Sequence, residues 1–558
     1  MVRKFRFPGV LAALLLVVSI SCEKTIDDDP DTGDIDNSLD YVWDTSNVVI
    51  ITLNGTSITA SPEVVSISGS KVTIVDPGTY KITGSLSDGQ IIVNSEDEGN
   101  VRLLLDGADI KCSNSSPLYI KKSDKTLIQL VENTTNVLSD GSAYTSQVEG
   151  EPSACLFSNS DLVIYGDGHL NITGNYSDGI SSDDALMISS GKITVTAKDD
   201  GIRGKDFILV KGGNINVSSK GDGLKSDNSA ESGKGYVYIE YAQLTVSSTT
   251  DAISACTSLT IEDGIFNLTS GGGSSGTFTT SAKALKGLTE VVVSKGTFTI
   301  SSADDAVHSN GKVKIDGGTL AISTKDDGIH ADASIEINDG TITISKSYES
   351  LESYSITING GKLNMVSSDD GINATKGSPS EYDDGSKIYI NGGSILISSS
   401  NGDGLDSNGS AVMTGGTLVI HGPQSQPEVG FDINGTFNVN GGFLFATGPN
   451  AGGMIETPSS GSALYSFKAS SSSLVTSSSL FHVQDASGKD IVTYKPVRNV
   501  YYFVVAAPEI ASGSSYSIYT GGTTTGTLTN GIYTGGSYSG GTLKKTFTIS
   551  GKVTNVTF

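Results

Sequence analysis

The chain has 558 residues, 36 Lys+Arg against 61 Asp+Glu, a formal charge of −25, 68 Gly and a single Trp. Glycine is about twice its usual share, and charged residues are scarce. So acidic a chain is excluded as a phosphate-backbone binder, and nucleic acid is not an expected partner. With 36% apolar residues it is neither disordered nor a polytopic membrane protein.

Residues 1–21 read as a lipoprotein signal peptide. Arg3, Lys4 and Arg6 precede an apolar stretch, Leu11–Ile20, that is broken only by Ser19 and is too short to span a bilayer. Ser19-Ile-Ser-Cys22 then places a small residue directly before Cys, as in a lipobox with Ser19 in place of the usual Leu. Cys22 is the expected lipidation site, and a lipid anchor the expected membrane contact. Residues 22–43 are acidic and nearly free of large apolar side chains, so a flexible tether is expected. An acidic stretch this close to the lipid resembles surface-export signals of some Gram-negative lipoproteins. The expected location is the outer membrane, facing outward. Cys112, Cys155 and Cys256 are an odd set without metal-ligand spacing, and read as buried free thiols.

Residues 44–460 carry a repeat. Strands such as Val101-Arg-Leu-Leu-Leu-Asp106 open it irregularly, as capping coils over 47–145 should. From Ser177 the unit sharpens into an acidic corner, a short apolar strand, and two alternating strands separated by Gly. The stretch from Lys325 to Ser345 is a clean copy. The corner acids fall at Asp178, Asp200, Asp222, Asp251, Asp305, Asp327, Glu349, Asp370, Asp403 and Glu428, mostly at or near 22 apart. The 54-residue gap before Asp305 holds a degenerate copy with Lys283 at the acid position. The strand period and the lack of helical spacing exclude leucine-rich repeats, and the period excludes a nine-residue calcium roll. The expected fold is all-β: a right-handed parallel β-helix, three strands per ~22-residue coil, with coils about 4.8 Å apart. Gly and Asp/Asn at the corners are expected to supply positive-φ positions. Residues 461–558 lose the period and read as a small C-terminal β module covering the open end.

The acids exceed what a turn needs, because they often double: Asp199-Asp200, Asp304-Asp305, Asp326-Asp327 and Asp369-Asp370. Stacked about 4.8 Å apart, like charges cost ~3–4 kcal/mol per pair at an effective dielectric of 20. Hard oxygen donors in such a column suit Ca²⁺. The expected ligands are Asp178, Asp199, Asp200, Asp222, Asp251, Asp304, Asp305, Asp326, Asp327, Asp369, Asp370 and Asp403, in separate sites rather than one ladder. Three residues on from each corner acid lies an outward column: Ser181, Arg203, Lys225, Ser254, Lys286, His308, His330, Glu352, Asn373 and Asp406. Arg203, Lys225, Lys286, His308 and His330 are the expected polyanion contacts. Insertions near Asn228–Lys234 and Lys376–Ser386 could wall a groove.

The opening Ile51-Thr-Leu-Asn-Gly-Thr56, the stretch Pro77-Gly-Thr-Tyr through Ile92-Val93, the Asp-Asp-Gly-Ile corners and the tail Tyr519-Thr-Gly-Gly…Gly531-Ile-Tyr-Thr-Gly-Gly536 resemble a known family. Its members are exported carbohydrate-binding β-helices, described as cellulose- and pectin-binding and similar in fold to pectate lyases. The resemblance implies corner calcium and binding of plant-type or acidic polysaccharide.

Three functions follow as expectations. The first is calcium-dependent polysaccharide binding at the cell surface. The second is a calcium-dependent lyase on uronate polymers, which needs a Lys or Arg base; Lys225 and Arg203 are the candidates. The third is a structural adhesin or spacer. The single Trp, Trp43, lies in the tether, which disfavours a stacking platform for neutral glucan.

Overall fold

The computed structural model describes residues 33–145, 151–277, 280–377 and 382–558. The signal segment, Cys22 and residues 378–381 of the second insertion lie outside the described residues. No helix among the described residues is long and apolar enough to cross a membrane.

The coil of the clean copy shows how the sequence folds. Its strands are Ile329–Ala331, Ser334–Ile337 and Thr341–Lys346. Ile329, Ala331, Ile335, Ile337, Ile342 and Ile344 point inward and are at most 1% exposed. Each strand pairs in parallel with its counterpart one coil on: Ile329 faces Leu351, Ile335 faces Ile356 and Ile342 faces Leu363. A single coil could not bury these side chains, each of which gains roughly 1.5–3 kcal/mol from burial. Stacking is therefore what makes the fold stable, and the product is an all-β parallel helix.

The short strands form one sheet of 16, from Ser66–Ser68 to Phe431–Ile433. The four- and six-residue strands stack on two further walls, merged into one 33-stranded sheet. One cause of the merger is Asn100–Cys112, whose 13 residues turn a corner and pair with both Lys125–Leu130 and Thr135–Asp140.

Two kinds of glycine corner emerge. At the Gly-Gly corners, residues such as Gly318 (φ 93°) and Gly361 (φ 84°) do take the positive φ expected of them. Beside them runs a ladder of amides, in which Asn338 donates to Asp316 (2.7 Å), Asn359 to Asn338 (2.7 Å) and Asn391 to Asn359 (2.9 Å). At the acid corners the reason is space instead. A Cβ on Gly201 would sit 2.2 Å from Val217 Cγ1, and one on Gly404 2.1 Å from Ile420 Cγ2. There the Gly after the acid is kept because an inward side chain of the long strand leading to the following corner lies against it, which corrects the φ expectation for those corners.

Both ends are dressed. Gly33–Asp36 and Ser38–Tyr41 form short 3₁₀ turns on the outer wall. Ile35 packs on Leu127, Val163, Met187 and Leu209. The Lys125 ammonium meets Asp40 at 2.7 Å, both nearly buried. Asp36 pairs with Lys211 on the same wall. Part of the expected tether over 22–43 is thus docked, because Ile35 and these two acids meet a complementary wall. At the other end, Ser466–Val475, Val500–Ala506 and Val553–Thr557 extend the helix sheet, with Val500–Ala506 antiparallel to Phe443–Gly448. A six-stranded antiparallel sheet packs beside them. The two share a core in which the Phe481 and Phe503 rings stack at 3.7 Å. Tyr502 closes the last coil, its buried hydroxyl accepting from the Gly430 N–H.

If space sets the acid-corner glycines, Gly201→Ala should destabilise by about 1–3 kcal/mol in urea unfolding. Val217→Ala in the same chain should recover part of that loss. Strictly additive losses would show that the two positions do not collide.

Candidate functional site

The acid corner and the short strand after it build one edge of the helix. In each three-residue strand from Ile202–Gly204 onward only the middle residue is partly exposed, since its neighbours pack inward. In-register pairing stacks Arg203 on Lys225, Lys286 on His308, His308 on His330, and His330 on Glu352.

The corner carboxylates have a structural task first. Where the backbone turns, the amide of the next coil's acid lacks a carbonyl partner. Asp178 accepts from Asp200 N–H (3.1 Å), Asp200 from Asp222 (2.8 Å), Asp222 from Asp251 (3.0 Å), and Asp327 from Glu349 (3.0 Å). One oxygen of each of these four acids is thereby used, and all four are almost wholly buried.

The second oxygen meets cations, and here the structure revises the expectation of a free basic face. Lys225 lies 2.9 Å from Asp200, Lys286 2.8 Å from Asp251, and Lys283 2.8 and 2.7 Å from Asp304 and Asp305. Arg203 bridges Asp183 (3.3 Å) and Asp227 (3.0 Å). His308 is 2.8 Å from Asp305, and His330 is 3.4 Å from Asp327 and 3.2 Å from Glu352. The named polyanion contacts are all paired internally, because acids lie beside them at ion-pair distance. Burial pushes Lys225 down, but the Asp200 charge and hydrogen bond, with Asp222, outweigh it and hold the ammonium well above its usual range. A base must be neutral to take a proton, so Lys225 is poorly suited to the lyase role.

Some acids lack such partners. Burial, with Asp200 and Asp199, raises Asp178 to about 7; burial, with Asp369, raises Asp370 to about 7. Burial, with Asp370 and Glu428, raises Asp403 to about 9. Asp305 shows the contrast: burial raises it, but His308 and Lys283 outweigh burial and hold it at about 2.

Two all-oxygen clusters result. One carboxylate oxygen from each of Asp178, Asp199 and Asp200 lies within 4.8 Å of the others, and the same holds for Asp304, Asp305 and Asp326. Gly221 leaves the first cluster open, since a Cβ there would meet Asp200 Oδ1 at 2.4 Å and Asp199 Oδ1 at 2.5 Å. Asp222, Asp251, Asp327, Asp369, Asp370 and Asp403 fall in neither cluster. Asp199 and Asp200 also line a cleft of about 530 Å³ with Asp222, Lys225, Asp251 and Lys286. Its far wall includes Thr280 and Ser281, and the Ser281 hydroxyl donates to Asp251 at 2.6 Å. That wall was missed in the sequence, although its signal stood in the overlong interval before Lys283. Asn228–Lys234, the expected wall, instead folds onto Asp206 through Asn228 (2.6 Å) and Lys234 (2.7 Å). A larger cavity, about 760 Å³, lies far along the chain, between Thr417 and Phe443 on the helix and Tyr533 and Tyr538 in the C-terminal sheet.

The chain is similar to known proteins in three comparisons. A family model described as "Carbohydrate-binding domain-containing protein" matches residues 68–328 and 323–371, together more than half of the chain. A protein of that description from Acetivibrio thermocellus is 39% identical over 243 residues, 43% of this chain and 81% of the relative. A solved structure, described as a polysaccharide lyase-like protein from C. thermocellum in a gadolinium derivative, is 29% identical with a TM-score of 0.40; the match covers 48% of this chain and 97% of that one.

The raised acids fix the sign of a pH dependence. Asp370 and Asp403 hold protons in the folded chain up to about pH 7 and about pH 9, but release them near pH 3.8 when unfolded. The folded state then binds more protons in between, so stability falls as pH rises through that window. In chelator, the melting temperature should drop from about pH 4 toward about pH 9, and Asp403→Asn should flatten the slope. A melting temperature that rises across that window in chelator would contradict the assignment.

Proposed function

This chain belongs to the family of carbohydrate-binding domain-containing proteins, and from that membership we propose that it binds acidic or plant-type polysaccharide with calcium held at the acid corner. The observation that carries the reading is the Asp178–Asp199–Asp200 cluster, which shares Asp199 and Asp200 with the cleft of about 530 Å³. Three convergent carboxylate oxygens are hard donors of the kind calcium prefers. The raised Asp178 carboxyl marks a buried acid short of a cation. Bound there, calcium supplies positive charge that relieves the cluster and attracts a uronate carboxylate. Thr250, Ser254 and Ser281 line the same cleft; Ser254 offers its hydroxyl to the sugar, while those of Thr250 and Ser281 are held by Asp222 and Asp251. Asp304, Asp305 and Asp326 form a second candidate calcium cluster, although Lys283 already neutralises part of it. An acidic protein can in this way hold an acidic polymer without a free basic face. The lipid on Cys22 would hold the protein at the outer membrane, outside the cell.

Polygalacturonate and cellulose pull-downs of the soluble mature chain, with and without chelator, test the reading. Polygalacturonate capture should fall at least about tenfold in chelator and in Asp199→Asn, a change at an exposed acid that leaves the backbone caps intact. Saturating calcium should raise the melting temperature of the wild type. Capture indifferent to chelator would overturn the calcium reading, and growing ultraviolet absorbance of unsaturated product would replace binding by lyase action. For the anchor, Cys22→Ala should move the protein from membranes to the soluble fraction; continued membrane association would contradict it.

A further inference from the structure

From Asp200 to Asp305 the corner acids find side-chain cations: Lys225 at Asp200, Lys286 at Asp251, and Lys283 with His308 at Asp305. One coil further on, no lysine follows. Asp327 and Glu352 gather about a single imidazole, His330, whose Nδ1 is 3.4 Å from Asp327 Oδ2 and 3.2 Å from Glu352 Oε2. One ligand atom from each of the three lies within 4.8 Å of the other two.

A second observation is independent of that geometry. Glu349, the next corner acid, is only 8% exposed and faces the charges of Asp327 and Glu352. Its Oε1 accepts from Asn373 (3.1 Å), but its buried Oε2 has no hydrogen-bond partner, and neither does Asn373 Oδ1. With Glu349 ionised, acceptors outnumber donors here, and a buried carboxylate oxygen left unpaired is strongly unfavourable. Such a deficit is what a bound cation removes.

We propose that Asp327, His330 and Glu352, with Glu349 behind them, form a site for a divalent first-row transition-metal ion such as Zn²⁺, separate from the all-oxygen corner clusters. An imidazole nitrogen among carboxylates suits zinc, whereas calcium takes six to eight oxygens. The other ring nitrogen, Nε2, lies 3.4 Å from Asp332 Oδ1, a carboxylate placed to orient a ligating ring. The neighbouring Asp305–His308–His330 group is the weaker choice, because Lys283 and His308 already occupy Asp305. The site stands apart from the calcium reading.

The test is a calorimetric titration of the chelator-stripped, dialysed mature chain with ZnCl₂ in saturating CaCl₂. One zinc site should persist in calcium. It should weaken at least about tenfold in Glu352→Gln and in His330→Gln, and roughly 10–100-fold in Asp332→Asn. His308→Gln and Asp199→Asn should leave it within about twofold. Co²⁺ in place of zinc should give a visible absorption band that His330→Gln abolishes. Zinc affinity unchanged in Glu352→Gln, or calcium displacing zinc at equal concentration, would overturn the proposal. Should His330→Gln fail to fold, the near-isosteric Glu352→Gln still decides.

Discussion

Parallel stacking in register places every side chain about 4.8 Å from its counterpart on the next coil, the spacing of hydrogen-bonded strands. Everything else in this molecule answers to that repeat. For apolar residues it is favourable: Ile329 lies over Leu351, and the rings of Phe266 and Phe298 stack at 4.5 Å inside the helix. For amides it is favourable too, since each Asn in the ladder from Asn338 to Asn391 both donates and accepts. For carboxylates it is unfavourable, because an ionised Asp only accepts and repels its copy.

The acid corner shows three ways of living with that repulsion. One oxygen takes the backbone amide that the turn leaves unpaired, as Asp200 does for Asp222. The other takes a lysine, arginine or histidine from the adjoining column, as Asp251 takes Lys286. Where neither suffices, burial and neighbouring charge favour the protonated acid, as at Asp403 and Glu349. These last positions are where an added cation gains most. Ion binding and fold stability are thus coupled at this edge, through the same carboxylates.

Rigidity follows from the same arrangement. The edge is carried by a sheet of 16 short strands, and from Ile202–Gly204 onward each has its flanking residues sealed in the core. Lys225, Asp222 and Asp251 are therefore held in fixed relation before any ligand arrives, which lowers the ordering cost of binding. The C-terminal strands do for the end of the helix what stacking does for its length. Val500–Ala506 covers Phe443–Gly448, and the shared aromatic core removes the open edge that would invite pairing with another chain.

The parallel β-helix, the acid corners from Asp178 to Asp403 and the outward column from Arg203 to Asp406 were legible in the sequence, because each depends on local period; Ser181, expected outward, is buried, and Val429 rather than Glu428 takes the last corner position. Alternation sets which face is buried, and equal coil length sets which residues stack. The partners of those residues were not legible. That Arg203 spends its charge on Asp183 and Asp227, that Ser281 rather than Asn228–Lys234 walls the cleft, and that Glu349 is left with an orphan oxygen depend on side chains meeting across coils at distances no spacing encodes. The same holds for Ile35 and Asp40, whose composition reads as tether until a matching wall is beside them. Periodicity determined the scaffold and the columns; only the folded chain, where electrostatics and burial act between coils, decided which charges are satisfied and which still need an ion.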